Sequence, residues 1–152
     1  MRLKIVKTKL KKMKSQKELL VFLAFAFLVF LFYGNTLQNG FVHDDIGQIV
    51  QNQYIQSFKY LPKAFTGCIW ESVFGGCEGA GYYRPLQNLS YLLTWQVSHQ
   101  PWIFHLVNLL YFLLAVFLVF VLAKKLTKKF FLSFLAAVFF LIHPINNEVV
   151  NW

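Results

Sequence analysis

Asp44 and Asp45 stand side by side in Asn39-Gly-Phe-Val-His43-Asp44-Asp45, a short polar stretch that follows a long apolar run. Carboxylates are expensive inside hydrocarbon, and those kept beside it usually work on substrates, ions or protons. A partly desolvated carboxylate near a lipid-borne phosphate can act as a general base towards a hydroxyl acceptor. Helix capping is the plainer use, since Asp is a strong N-cap and Ile46, Ile49, Val50 and Gln53 continue at helical spacing. One cap needs one carboxylate, however, and here there are two. His43 would extend the pair towards a metal site, but three consecutive side chains rarely converge on one ion, so no metal is assigned.

Other polar groups invite similar weighing. Arg84, in Tyr82-Tyr83-Arg84-Pro85-Leu86, is the only Arg outside the N-terminal basic stretch and is a candidate for holding a phosphate. An exposed interfacial Arg is the alternative. His143 and Glu148 emerge after the last apolar run, where they could orient an acceptor, tune a pKa or contact a phosphate. Equally, His143 with Pro144 could simply end a helix. His105 and Asn108 share one helical face, which suits interhelical hydrogen bonding. Cys68 and Cys77, the only cysteines, bracket a glycine-containing turn; an oxidising exterior permits a disulfide, and two free or buried thiols are the other possibility. Asn88-Leu89-Ser90 matches a glycosylation sequon but falls within an expected helix, so it is read as chance.

The elements that must position these groups are membrane helices. A chain of 152 residues with 57% hydrophobic and 19% aromatic content departs from ordinary soluble composition. Its apolar residues cluster in Leu19 to Tyr33, Leu109 to Ala123 and Phe130 to Ile142, each shorter than the roughly 20 residues of a typical span until its flanks are included. The expected organisation is a basic leader over 1–18, a first span over 19–37, a loop over 38–101, a second span over 102–123, a basic turn over 124–129, a third span over 130–144 and an end segment over 145–152. The leader's Leu3, Ile5, Val6, Leu10 and Met13 suit either a weakly amphipathic surface helix or disorder. Within the loop, residues 85–98 repeat Leu86, Leu89, Leu93 and Val97 at helical spacing, with Pro85 suited to a first turn and Tyr91 and Trp95 suited to an interface. The first run lacks a small-x-small cleavage site after Gly34, which favours an uncleaved signal anchor.

Charge orients the helices. Of fifteen Lys and Arg residues, eight precede Glu18 and four lie at 124, 125, 128 and 129, so the positive-inside tendency puts both clusters in the cytoplasm and the loop and C-terminal end outside. The loop has four acids, Asp44, Asp45, Glu71 and Glu78, against Lys59, Lys63 and Arg84. A net charge of +9 confined to membrane flanks speaks for membrane lipid as partner and against nucleic acid.

Four motifs in order resemble a known family: Gly40-Phe-Val-His-Asp44-Asp45, Tyr83-Arg84-Pro85-Leu86, Phe104-His105-Leu-Val-Asn108, and His143-Pro144-Ile145 with Glu148. Together they are similar to the N-terminal portion of the transmembrane-and-tetratricopeptide-repeat family, related to the protein O-mannosyltransferases of the GT-C fold class. The resemblance covers about residues 30–152. It implies a partial GT-C architecture, a polyprenyl- or dolichyl-phosphate sugar as donor, and an extracytoplasmic acceptor hydroxyl. No cofactor is assigned beyond that lipid-phosphate-linked sugar, which is a substrate. Asp44 and Asp45 fall on the family's acidic pair, one of them the base. Arg84, Tyr83, His143 and Glu148 fall on motif positions and are assigned to substrate binding from their charge and side.

The expected fold is therefore an all-α membrane protein with three transmembrane helices and a large extracytoplasmic loop holding interfacial helices. Such enzymes have many more spans, so the chain is expected to be part of a longer parent and inactive alone. A non-catalytic membrane anchor for a partner or repeat domain is the rival reading. A transport subunit is less favoured, because all six acids lie at or beyond the ends of the spans.

Overall fold

The computed structural model describes residues 2–77 and 82–151, with side chains described from Gln16 onward. Glu78, Gly79, Gly81, Trp152 and the side chains of the leader's apolar residues lie outside the described residues. No strand occurs among the described residues. The chain divides into two compact units: one formed by Met1–Asn35 with Asn108–Asn151, the other by Thr36–Val107.

The first unit is a helical bundle. Helix α1 runs over Arg2–Tyr33 and continues as a 3-10 turn over Gly34–Gln38. Three short elements, α2 (Leu61–Thr66), α3 (Glu71–Phe74) and α4 (Pro85–Val97), belong to the other unit. Then come α5 (Pro101–Thr127), α6 (Phe130–Ile142) and α7 (Ile145–Asn151). Val21, Phe25, Val29 and Tyr33, one every four residues, form the buried stripe of α1. They meet α5 through edge-on ring pairs Phe22–Phe117, Phe25–Phe120 and Tyr33–Phe112, at centroid distances of 5.4, 5.7 and 5.3 Å. Glu18 near the start of the apolar part of α1 pairs with Lys124 at the end of α5, whereas Tyr33 at the end of α1 meets Phe112 earlier in α5, so the two helices are antiparallel.

Helix α6 packs on α1 with Ser133, Ala137 and Leu141, all fully buried. Two small residues four apart let the backbones approach, which is how helices associate where lipid removes the ordinary hydrophobic drive. Phe134 stacks on Phe25 at 5.1 Å, and the Tyr33 hydroxyl donates to the Leu141 carbonyl at 2.8 Å, satisfying an acceptor the helix end leaves open. The α5–α6 turn is closed by Lys128 in the left-handed region (φ 57°), with Thr127 Oγ1 accepting from Lys129 N and Ser133 Oγ donating to the Lys129 carbonyl. Lys124 and Lys125 lie in the last turn of α5, where cations complement the helix dipole. Glu18 pairs with Lys124 at 3.7 Å, bringing the start of the apolar part of α1 to the same end of the bundle as this basic turn.

Gln16–Gln38 and Pro101–Thr127 are each long and apolar enough to cross a membrane. Phe130–Ile142 and Ile145–Asn151 qualify only as one span bent by 63°. Leu20, Phe27 and Leu31 of α1, Leu118 and Leu122 of α5, and Phe131 and Phe139 of α6 are exposed, as outward faces of helices in lipid are.

The second unit is built from short helical pieces. The acidic pair leads into a π-helical turn over Ile46–Val50, followed by 3-10 turns over Gln53–Ile55 and Phe58–Tyr60. Asn52 and Ser57 cap those two turns by accepting from Tyr54 N and Lys59 N. Ile49, Ile55, Leu92 and Phe104 form the core, with Phe41, Tyr91, Trp95 and Ile103 packed around it. Helix α4 buries Asn88, Leu92 and Thr94, whereas Leu86, Leu93 and Val97 of its apolar repeat are exposed. That outward stripe suits an interfacial helix.

Replacing Ala137 by Leu should overpack the contact with α1 and cost about 1–3 kcal/mol of stability. Ala136→Leu, on the exposed face of the same helix, should be close to neutral. Unfolding of both variants in detergent, compared with the parent, measures the difference.

Candidate functional site

The acidic pair is held by the turn that precedes it. His43 adopts φ 42°, and Asp45 N and Ile46 N donate to the carbonyls of Val42 and His43 at 2.9 and 3.2 Å. Asp45 occupies the N-cap position of the π-helical turn, yet its side chain makes no cap hydrogen bond. Its Oδ2 instead accepts from the Val42 amide at 3.2 Å, so the carboxylate is folded back over its own turn. Asp44 accepts from Gln48 Nε2 at 3.4 Å, one helical turn ahead.

The two carboxylates have different surroundings. Asp44 is exposed and Asp45 is half-buried. Burial raises the Asp45 pKa above the ordinary carboxylate value; the Val42 amide and the charge of His105 pull it back in part, and the neighbouring Asp44 pushes it up. A carboxyl whose surroundings make it more basic than usual suits acid–base chemistry.

A chain of amides links Asp44 to Arg84. Gln48 Oε1 accepts from Gln87 Nε2 at 3.2 Å, and Gln87 Oε1 accepts from Arg84 Nη1 at 3.3 Å. Gln87 Nε2 also donates to the Tyr91 hydroxyl at 2.9 Å, and burial pushes the Tyr91 phenol up. Arg84 lies over the Tyr82 ring at 5.1 Å, and the Tyr83 hydroxyl donates to the Phe65 carbonyl at 2.8 Å. The structure thus brings Asp44, Asp45, Tyr83 and Arg84 into one unit. Gln48, Gln87, Tyr91 and His105 escaped the sequence reading as members of this cluster. The spacings 44/48, 84/87 and 87/91 were available as signals for three of them.

Behind the pair, Gly47 packs beneath Trp70, where an added Cβ would lie 2.5 Å from the indole. Trp70 follows Cys68, which forms a disulfide with Cys77. Glu71 of the same loop pairs with Lys63. Cys68, Glu71 and Cys77 come close enough together to suggest a metal cluster, but their sulfurs and carboxylate are engaged in these bonds.

His143 and Glu148 belong to the helical unit and are exposed. His143 Nδ1 accepts from Ile145 N at 3.3 Å and so caps α7 after the Pro144 break. Asn146, buried beside it, donates to the Phe140 carbonyl at the end of α6. Asn108 Nδ2 donates to the Val149 carbonyl at 3.0 Å, tying α7 to α5. The break borders a cavity of about 340 Å³ lined by Phe32, Tyr33, Ile142, Pro144 and Asn147.

All-helical structure with two apolar helices of spanning length, and a third if the bent pair is one span, defines an integral membrane protein. Over four-fifths of its length the chain is similar to curated proteins of one kind. It is 34% identical over 125 residues to the protein O-mannosyl-transferase Tmtc2 of Drosophila melanogaster, covering 81% of this chain and 13% of that protein. It is 34% identical over 123 residues to the protein O-mannosyl-transferase TMTC1 of Homo sapiens, covering 79% and 14%. With Tmtc1 of Drosophila melanogaster the identity is 31% over 137 residues, covering 90% and 16%. By sequence, then, the chain is a relative of the TMTC protein O-mannosyl-transferases, the family its motifs resemble, and it spans less than a fifth of those proteins' length. No family model and no solved structure matches it.

The raised pKa of Asp45 links its charge to stability. The folded state holds this proton more tightly than the unfolded chain does, so the contribution is complete below the ordinary carboxylate range of about 4 and is lost as pH rises through the raised value. Asp45→Asn should therefore make the loop unit more resistant to proteolysis near neutrality and flatten its pH dependence. Cleavage rates between weak acid and neutral pH test the sign.

Proposed function

We propose that the chain contributes the acidic part of the active site of a membrane glycosyltransferase that moves a mannosyl group from a polyprenyl- or dolichyl-phosphate donor to an acceptor hydroxyl outside the cytoplasm. Its helices form part of a GT-C architecture. The observation that carries this reading is the Asp44–Gln48–Gln87–Arg84 chain, which couples a carboxylate pair fit for proton abstraction to a cation fit for phosphate. The names of the relatives, protein O-mannosyl-transferases, support the reaction class.

In the transfer, Asp45 takes the proton from the acceptor hydroxyl as that oxygen attacks the anomeric carbon. The bond from that carbon to the phosphate oxygen breaks, and the lipid phosphate leaves with the bonding pair, inverting the sugar. Asp45 suits this role because partial burial makes it more basic than an ordinary carboxylate. Arg84 binds the departing phosphate charge, Tyr83 lines its approach, and Asp44, anchored by Gln48, keeps the local charge negative. His143 and Glu148, carried by the helical unit, are the other substrate-contact positions in this reading.

The orientation places the leader over 1–18 and the turn over 124–129 in the cytoplasm, and the loop over 38–101 outside. Convergence of the basic turn and the start of α1 at one end of the bundle supports it. So does the Cys68–Cys77 disulfide, a bond that persists in oxidising compartments.

In the whole protein, Asp45→Asn should lower transfer of radiolabelled mannose from dolichyl-phosphate-mannose by at least about 100-fold, the usual size of a lost general base. Asp44→Asn should be less severe. Retention of transfer in both variants would favour the anchor reading. Single-cysteine labelling in sealed microsomes should find residue 58 protected from the cytoplasmic side and residue 126 accessible from it.

A further inference from the structure

Two consecutive residues that follow the disulfide cysteine Cys68 hold both sides of the site from one loop. Ile69 is fully buried, and its amide donates to the Tyr82 carbonyl at 3.1 Å; the ring of the same Tyr82 lies under Arg84. Trp70 serves the acidic side. Its indole rests on Gly47, two residues beyond Asp45 in the π-helical turn, so closely that an added Cβ would lie 2.5 Å from Cζ3, 3.3 Å from Cε3 and 3.4 Å from Cη2. Little besides the disulfide keeps these two residues in place. Helix α3, which follows Trp70, has only four residues, too few to persist alone, and the Lys63–Glu71 ion pair is partly exposed and so worth little. The Cys68–Cys77 bond removes the open conformations the loop would otherwise adopt. Cys68 is buried, whereas Cys77 is exposed.

We infer that Trp70 is a positioning residue for the acidic turn, and that the Cys68–Cys77 disulfide is the redox-sensitive latch that keeps it on Gly47. With the bond closed, Trp70 fixes the turn carrying Asp44 and Asp45 while Ile69 fixes the segment carrying Arg84. A dithiol reductant opens the latch. One of its sulfurs attacks Cys77, the S–S bond breaks and Cys68 leaves as a thiolate; the second sulfur then closes on the mixed disulfide and releases Cys77. Two electrons pass to the protein, the two protons of the dithiol end on the cysteine sulfurs, and the reductant leaves as a cyclic disulfide. Only the consequence for transfer rests on the proposed role of the acidic pair; the latch itself does not.

Hydrogen exchange read by mass spectrometry, on the whole protein in lipid nanodiscs, reports the turn directly. Its closing bonds are those of the Asp45, Ile46 and Gln51 amides to the carbonyls of Val42, His43 and Ile46. Reduction with dithiothreitol should speed exchange over residues 42–51 several-fold. Cys68→Ser/Cys77→Ser should exchange at that faster rate and respond no further to the reagent. Trp70→Ala, with the disulfide intact, should also speed exchange over 42–51, and it carries the test if the serine variant does not fold. Trp70→Phe, which keeps a ring against Gly47, should restore most of the protection. In transfer from dolichyl-phosphate-mannose, Trp70→Ala should lower kcat several-fold at the parent's KM for the donor, because the Ile69–Tyr82 bond remains. Unchanged exchange in folded Trp70→Ala, or in the reduced parent, overturns the inference. Faster exchange with an unmoved kcat upholds the latch and counts instead against the acidic pair as the source of the base.

Discussion

The segment carrying the acidic pair has little regular structure of its own, and its placement depends on the head of α5. Thr36 on His105 and Phe41 on Phe104 dock it at consecutive positions of one helix. Phe104 also reaches Tyr91 and Trp95 of α4, so the same ring that holds the acidic segment holds the helix led by Arg84. Losing that contact would release both the carboxylates and the cation. The Gln48–Gln87 bond can form only because this core brings the two elements together.

Within that arrangement, two carboxylates of identical chemistry become different groups. Asp44 stays in water and uses its oxygen on Gln48; Asp45 is half-buried and uses its own on the Val42 amide. Partial desolvation is the larger influence on Asp45, and it works against ionisation, while the hydrogen bond from the Val42 amide works for it. A base needs both: enough basicity to take a proton, and enough compensation to be ionised beforehand. The π-helical turn that follows brings Gly47 under Trp70, a close approach that only a missing side chain allows.

The helical unit answers a different constraint, that helix ends in or near lipid must find partners for their open backbone groups. Tyr33, Asn146 and His143 serve the break between α6 and α7, and Asn108 serves the end of α7. His143 is accordingly occupied at Nδ1 by the backbone of the helix that follows it.

Much was legible in the sequence because it follows from periodicity and charge. Apolar runs specify membrane helices, and Pro85 and Pro144 mark where α4 starts and α6 stops; two helices of spanning length cover the first two runs, and the third qualifies only together with α7 across a bend. The 44/48, 84/87 and 87/91 spacings were readable too, since neighbours one turn apart meet on any helix. What could not be read were the pairings between segments distant in sequence: Gln48 with Gln87, Phe41 with Phe104, Thr36 with His105. His105 in particular looked like an ordinary interhelical group. By itself the sequence determined that Asp44 and Asp45 follow, as a pair, a helix apolar and long enough to cross a membrane. Only the tertiary structure decided that they are unequal, that neither caps a helix, and that an amide chain joins one of them to Arg84. The physical reason is that burial and long-range hydrogen bonds depend on which surfaces come together, and local spacing carries no record of that.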